Sequence, residues 1–514
     1  MGRSEPTGRP AGRATEGREG SRSKRVRGIG RGAVAASLAA LLLAGCPEAD
    51  GPTSGGADAT PPNVVLIVVD TLRADHLSHY GYARATAAPL DEFRSRSTLF
   101  SRAYSTAPWT GPSTMSILTG LSPLQHRATE HGDVLPDEAT TLAEHLSAAG
   151  YSTHGISFNF EVKGKTGFAQ GFDRFDDFLG KVVDYPDIQQ MVRRTEQWLA
   201  TDPPEPFFLY LHPMNVHGPY RVPKSRQSTL LGRPPSPAFE YWDRALMTPL
   251  MRKGRVELRA QVTPEIVESA IDQYDVAIRY SMEEIARILS ALEQAGRMEN
   301  TLVVLIADHG EEFFEHGGFS HGFTLHREIV HIPLYLHLPG QTEPGSDDRI
   351  VSQLDLVPTI LARAGLPKPA ELTGIDLLGG RGAGDGAGHG AVAQPEAGAA
   401  LDGGAEARPL VQHAGWAERA TGLSLVQGAD HLVDLEKAYD APSPRLSLYD
   451  LERDPGEKSD RARDEAAEAE RLRGVLRAEA DRLAETGRLP DPENILHELD
   501  EEDTARLRSL GYVE

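Results

Sequence analysis

Cysteine is nearly absent: Cys46 is the single one in 514 residues, so neither an intramolecular disulfide nor a Cys-rich zinc module can form. Basic charge is scarce as well. With 53 Lys and Arg against 75 Asp and Glu, the net charge is −22, and since binding phosphates takes clustered Lys and Arg, that acidic balance gives no electrostatic footprint for nucleic acid. No nucleic-acid partner is expected. The apolar run Ala33–Gly45 spans 13 residues, short of the ~20 that a membrane-spanning helix needs. What is present is a globular composition, 39% hydrophobic and 25% charged. The length exceeds the ~250–300 residues at which one core stops growing, enough for one large α/β domain plus appendages, and a two-part globular protein is the starting expectation.

Residues Gly2–Gly32 carry nine Lys or Arg against three Glu, ahead of the apolar run. That order matches the n- and h-regions of a signal peptide. The ending Leu43-Ala44-Gly45-Cys46 resembles a bacterial lipobox, which implies cleavage before Cys46 and lipidation of its thiol. The plainer alternatives are an ordinary secretory signal, or a buried Ala/Leu helix with an incidental cysteine. The expectation is a lipid-anchored lipoprotein of the bacterial cell envelope, facing the periplasm or the cell surface. Pro47 after the cysteine is compatible with outer-membrane sorting. Residues 46–62, rich in Gly, Pro, Ala and Thr, read as a flexible tether.

Asn63–Val69 (NVVLIVV) is a continuous β-branched run ending in Asp70, the pattern of a strand buried on both faces. Phe207–His212, Thr301–Ala307 and Ile332–Leu338 repeat it, separated by helical patterns such as Thr141–Ala149 and Pro264–Ala295. Such alternation implies a mainly parallel sheet covered by helices on both faces. Gly379–Arg408 is dominated by Gly and Ala and reads as a disordered insertion. Arg461–Thr486 alternates acids with Arg around sparse Leu and reads as a solvated amphipathic helix. The divisions expected are a signal segment 1–45, a tether 46–62, a catalytic domain 63–378, the insertion 379–408 and a C-terminal subdomain with an acidic helical tail, 409–514.

Ligands of open α/β sheets bind beyond the carboxyl ends of the strands, where two of these runs end in acids: Asp70, and Asp308 followed by His309. Two carboxylates and an imidazole suit Mn²⁺ or Zn²⁺, whereas an all-oxygen shell favours Ca²⁺ or Mg²⁺. Such Asp residues also cap the following helix in many proteins. Thr110-Gly111-Pro112 opens a short helical pattern closed by Gly120. Thr110 there is either a plain cap or a nucleophile beside a helix N-terminus that stabilises anions.

Several stretches in order carry a family resemblance across residues 63–514: NVVLIVVDTLRADHLSHYGY at 63–82, TGPSTMSILTG at 110–120, GFAQGFDRFDDF at 167–178, TLVVLIADHGEEFFEH at 301–316, SHGFTLHREIVHIP at 320–333, DLVPT at 355–359 and LYDLE at 448–452. The chain resembles the sulfatase family of the alkaline phosphatase superfamily. The resemblance implies a large, mixed but mainly parallel sheet flanked by helices, with a smaller C-terminal α+β subdomain. It also implies an ester hydrolase holding a divalent metal. By position, Asp70, Asp308 and His309 resemble the metal ligands and Thr110 the nucleophile. His217 resembles the leaving-group histidine, and His321 a group that contacts the substrate's non-bridging oxygens. His316, His326, His126 and His131 match less.

Three departures bear on the chemistry. Sulfatases oxidise a Cys or Ser to formylglycine, and Thr110 cannot give that aldehyde. A Thr nucleophile therefore suits phosphoryl or phosphonyl transfer. Thr114, expected to contact substrate, stands where relatives have a supporting Arg, and Thr71 where they often have a ligating Asp. A two-metal site would want Asp at position 213, which is Pro, so one metal is expected. The expected substrate is a small-molecule, glycan or lipid-headgroup ester of phosphate or phosphonate. The alternatives are a sulfuric ester hydrolase in the strict sense and a non-catalytic lipoprotein that keeps the fold. The segment Arg221–Val262, with Tyr241 and Trp242, is the expected local determinant of substrate shape.

Overall fold

The computed structural model describes residues 61–177, 187–236, 261–379, 408–416, 420–437 and 445–494. The expected signal segment, Cys46, Tyr241, Trp242, nearly all of the tether and Gly/Ala insertion, and the last twenty residues lie outside them. Among the described residues no helix is long and apolar enough to cross a membrane.

Among the described residues, ten strands precede the C-terminal region: β1 (Asn63–Val69), β2 (Thr98–Tyr104), β3 (Ser152–Ser157), β4 (Arg174–Asp177), β5 (Phe207–His212), β6 (Thr301–Ala307), the short pair β7 (Glu312–Phe313) and β8 (Phe319–Ser320), β9 (His331–His337) and β10 (Gly345–Ser352). Eight form one sheet in the order β10-β2-β9-β6-β1-β5-β3-β4. Only β9 runs against its neighbours, β2 and β6; the other pairings are parallel. Every residue of β1, β5 and β6 is buried, as β-branched and aromatic runs covered on both faces should be.

The connecting helices carry their own start signals. Helix α1 (Thr110–Thr119) follows Trp109 and is closed by Gly120 at φ +72°, where a Cβ would meet Val357 and Leu372 at 3.1 Å. Helix α2 (Leu142–Ala148) starts from a capping box in which Thr141 accepts from the Glu144 amide and donates its own amide to the Glu144 carboxylate. Helix α3 (Ile188–Leu199) is capped by Asp187. Helix α4 (Pro264–Gln294) takes Thr263 as cap and proline as its first residue. Helix α5 (Leu356–Arg363) completes the set around the large sheet.

The C-terminal region is a four-stranded antiparallel sheet, β11 (Leu410–Trp416), β12 (Ala420–Gln427), β13 (Asp430–Lys437) and β14 (Arg445–Asp450), followed by α6 (Ala466–Glu485). Alternate residues face opposite ways. Val426, Val433 and Tyr449 join Tyr104, Leu325 and Ile329 of the catalytic domain, while Leu425, Leu432 and Leu448 pack against α6. The amphipathic helix read at Arg461–Thr486 is α6, and its apolar stripe of Ala469, Leu472, Leu476, Ala480 and Leu483 is buried while the charged face stays in solvent. Its five small or branched apolar residues make a narrow stripe that finds a partner only once the sheet has formed.

Candidate active site

Strand register builds the centre of the site. β1 pairs with β6 so that Val69 lies beside Ala307, and Asp70 and Asp308 therefore leave the sheet side by side. On the other flank Ile67 pairs with Leu211, which sets His212 at the same end of the sheet. The Asp70 amide donates to the carbonyl of Pro213 at 3.3 Å, closing the β1 and β5 ends against each other. Potential ligand atoms of Asp70, Asp308 and His309 all lie within 4.8 Å of one another, and all three residues are fully buried.

Each carboxylate is half satisfied. Asp308 Oδ1 accepts from the amides of Thr71 (3.0 Å) and His309 (2.8 Å), and Asp70 Oδ2 from the Asn159 amide group. Asp70 Oδ1 and Asp308 Oδ2 have no partner, and neither do Thr71 Oγ1, Thr114 Oγ1 and His212 Nε2. Buried polar atoms without partners cost about 1–3 kcal/mol each and are rare. Burial, and then the neighbouring Asp308 charge, push the Asp70 carboxyl well above the usual range. A divalent cation answers both observations, since it gives the orphaned oxygens a partner and offsets two like charges. His309 is oriented for the same task. A carbonyl can only accept, so the 2.8 Å contact from His309 Nδ1 to Gly310 O places the proton on Nδ1 and the lone pair on Nε2.

Thr110 is the first residue of α1, with its Oγ1 3.3 Å from His309 Nε2. One turn on, the Ser113 hydroxyl donates to Asp308 O (2.6 Å) and to Gln353 Oε1 (3.0 Å). Gln353 returns its amide protons to Ala307 O (3.0 Å) and Asp308 O (2.7 Å). This buried knot fixes the nucleophile helix to the end of β6. Thr71 is strained, at φ +55° for a β-branched residue. Its amide bond to Asp308 and a 2.6 Å bond from the Tyr274 hydroxyl to its carbonyl hold it there.

A wall of imidazoles continues from the acids. The His321 ring lies 4.4 Å from His309 and 5.0 Å from His217, centroid to centroid. His321 Nδ1 contacts Glu311 Oε1 at 3.1 Å, and the Tyr220 hydroxyl donates to the other oxygen of Glu311 at 3.3 Å. His217 donates from Nδ1 to Gly218 O at 2.6 Å. Its loop is held by Asn215, which accepts from the Ile188 amide at the start of α3 (2.9 Å). A cleft lined by Asp187, Asn215, His217 and Arg221 opens beside it.

Asp70, Thr110, Asp308, His309, His217 and His321 thus come to one place, with Thr114 one helical turn from Thr110. Four others do not join them. His126 is buried under α1, contacting Ser116 Oγ and Pro112 O, and burial lowers its imidazole to about 3. His131 packs on Trp109 beside Glu161. His316 and His326 belong to a separate cluster around Glu457. Four residues of the site, Asn159, His212, Glu311 and Gln353, escaped the sequence reading. Only Glu311 carried a local signal, an acid three residues after Asp308.

An α/β sheet whose strand ends gather buried acids, imidazoles and a helix-borne hydroxyl fits the class of ester hydrolases. Residues 62–366, more than half of the chain, match the family model described as Sulfatase, and the chain belongs to the sulfatase family. Enzymes of this family are ester hydrolases that generally bind a divalent metal. Arylsulfatase K of Bos taurus is 26% identical over 386 residues, covering 67% of this chain and 71% of that protein. The delta 4,5-hexuronate-2-O-sulfatase of Bacteroides thetaiotaomicron is 26% identical over 345 residues, covering 62% and 71%. In fold, the phosphonate monoester hydrolase of Agrobacterium radiobacter superposes with a TM-score of 0.61 at 19% identity, covering 82% of this chain and 96% of that one.

Proposed function

We propose that the protein is a metal-dependent hydrolase or transferase of phosphate or phosphonate esters, with Thr110 as nucleophile. The observation that carries this reading is a Thr hydroxyl at the first turn of a buried helix, 3.3 Å from His309 Nε2 and beside the Asp70–Asp308 pair. Asp70, Asp308 and His309 would hold the cation, and their mixed oxygen and nitrogen donors favour Mn²⁺ or Zn²⁺ over Ca²⁺ or Mg²⁺. When bound, that cation supplies the positive charge that keeps the Thr110 hydroxyl ionised and offsets charge on the ester oxygens.

Thr110 Oγ attacks phosphorus in line, forming a Thr–O–P bond as the bond to the leaving alkoxide breaks. Protonated His217 gives its Nε2 proton to that alkoxide. His321, held by Glu311, and the amides at the start of α1 bind the non-bridging oxygens. In the second half, neutral His217 takes a proton from water as the water oxygen bonds to phosphorus, and the Thr–O–P bond breaks to restore Thr110. An acceptor alcohol in place of water makes the same sequence a transfer. The substrate class is a small-molecule, glycan or lipid-headgroup ester.

A second reading, sulfuric ester hydrolysis, is favoured by the names of the relatives at 26% identity. One panel separates the two: nitrophenyl phosphate, its diester, a phosphonate ester and the sulfate, each with Mn²⁺, Zn²⁺ or Ca²⁺, against Thr110→Ala. Thr110-dependent turnover of a phosphorus ester above the sulfate supports the first reading; the reverse preference replaces it with the second. We also read Cys46 as a lipid-anchor site placing the enzyme in a bacterial cell envelope. Metabolic labelling with a tagged fatty acid, lost in Cys46→Ala, tests it.

A further inference from the structure

The cleft beside His217 has a volume of about 180 Å³. A cavity of ~150 Å³ already takes a benzene ring, so a small alcohol fits. His217 lines it, and in the scheme above the alkoxide that His217 protonates departs on this side. Asp187, the cap of α3, lines it too. Asn215 ties the two walls together, accepting from the Ile188 amide at 2.9 Å and donating to Arg221 O at 3.0 Å.

The Asp187 carboxylate is held in one orientation by the protein itself. Its Oδ1 accepts from the Gln189 amide at 2.9 Å and from the Tyr280 hydroxyl at 2.8 Å. Among the described residues nothing donates to Oδ2. An ionised carboxylate only accepts, so the ligand group that meets this oxygen must be a donor. Arg221 lines the same cleft and offsets the charge of Asp187, which favours a neutral donor over an ammonium. Met214, Pro219, Val222 and Pro223 make the remaining wall apolar. We propose that Asp187 Oδ2 accepts a hydrogen bond from a second hydroxyl on the leaving alcohol, so that Asp187 selects neutral polyol leaving groups. This rests on the phosphorus-ester scheme with His217 as proton donor and deepens it.

The test compares kcat/KM of the metal-loaded full chain on three phosphonate esters whose leaving groups are 2-hydroxyethyl, 2-methoxyethyl and 2-aminoethyl. The methoxy group keeps the reach of the hydroxyl and lacks only its proton. The hydroxyethyl ester should lead the other two by at least about tenfold, the value of a hydrogen bond to a charged group. Ser and Asn cap helices as Asp does. Asp187→Ser should bring the hydroxyethyl and methoxyethyl esters within about threefold of each other, and Asp187→Asn, which keeps a neutral acceptor, should fall between. A purely structural role would lower all three esters together and leave their ratio unchanged, which overturns the proposal. The wild-type ratio keeps it falsifiable even if the variants fail to fold: equal turnover of the hydroxyethyl and methoxyethyl esters overturns it, and so does a lead by the aminoethyl ester. Glyceryl and 6-glucosyl esters in the same series show whether a lipid headgroup or a sugar supplies the second hydroxyl. Turnover of nitrophenyl phosphonate but of none of the three overturns the role of Asp187 alone; no turnover of any phosphorus ester overturns the scheme beneath it as well.

Discussion

Among the described residues, two buried clusters of imidazoles and carboxylates differ in their acids: Asp70 and Asp308 each keep an oxygen without a hydrogen bond, whereas both oxygens of Glu457 are bonded and the unpartnered atom of that cluster is His431 Nε2. At the strand ends, Asp70, Asp308 and His212 each keep one atom without a partner. Beside β14, Glu457 gathers His326 (3.0 Å), His431 and the Arg327 amide (2.9 Å) on its carboxylate. His316 donates from Nδ1 to Glu328 (2.7 Å) and from Nε2 to Glu457 O (3.0 Å), and its ring stacks on His326 at 3.7 Å. His316, His326 and Glu457 also place atoms within 4.8 Å of one another. Proximity alone therefore does not distinguish the clusters. A ring that donates from both nitrogens is an imidazolium, so positive charge is already built into the Glu457 cluster. Burial alone would lower His316, but the bond and charge of Glu328 outweigh it and hold the imidazole at about 9. Glu457 joins the C-terminal sheet, through His431 on β13, to the catalytic domain, through His326 and Arg327; on the reading proposed above, the strand-end cluster is where a cation would sit.

Substitutions should separate the two along that line. The largest effect is expected at the acids: Asp308→Asn should abolish stoichiometric metal uptake and lower turnover by at least about a thousandfold. It should also raise the melting temperature of the metal-free protein by removing one of two adjacent buried charges. Metal analysis, a turnover assay and calorimetry on one preparation read all three. Thr110→Ala should match the loss of turnover, yet keep metal affinity within about tenfold, because the carboxylates and imidazoles stay in place. If it lost metal as completely as Asp308→Asn, the hydroxyl would be a principal ligand and the division of roles would fail.

The opposite signature is expected at Glu457. Glu457→Gln leaves His326 and His431 without their counter-charge and should cost about 3–5 kcal/mol of stability in denaturant unfolding. Metal content and turnover per folded molecule should hold. The smallest effect is on pH. The His316 pKa is raised on folding, so its contribution is full below its ordinary 6.5 and is lost as pH rises through about 9. His326 and His431 hold the Glu457 carboxyl well below its ordinary 4.5 despite burial, so that contribution is lost in acid instead. The melting temperature should fall from pH 7 to 9.5, by at most about 3 kcal/mol in stability terms. Glu328→Gln should flatten that slope.

Legibility followed how local each signal was. β1 and β6 announce themselves as unbroken β-branched runs ending in acids, and parallel pairing then sets Asp70 beside Asp308. The helix that Thr110 opens was legible through Pro112 and Gly120, whereas the role given to its hydroxyl came from the family resemblance alone. His212 was not, because a His closing an aromatic and aliphatic run reads as core. Its place beside the acids depends on the register of β5 against β1, which one strand cannot reveal. Asn159 lies in the loop after β3 and Gln353 in the turn before α5, and both reach the site only through tertiary packing. For α6 the stripe was visible, but its partner was four strands folded from residues 410–450.

The central claim, that Thr110 attacks phosphorus, is tested most directly by acid-quenching the Mn²⁺-loaded enzyme during turnover of a nitrophenyl phosphonate ester and mapping the adduct by peptide mass spectrometry. The account predicts a phosphonyl group on the peptide that contains Thr110, formed no more slowly than product appears and absent from Thr110→Ala. Steady turnover with no adduct, or with the adduct on another residue, would contradict it.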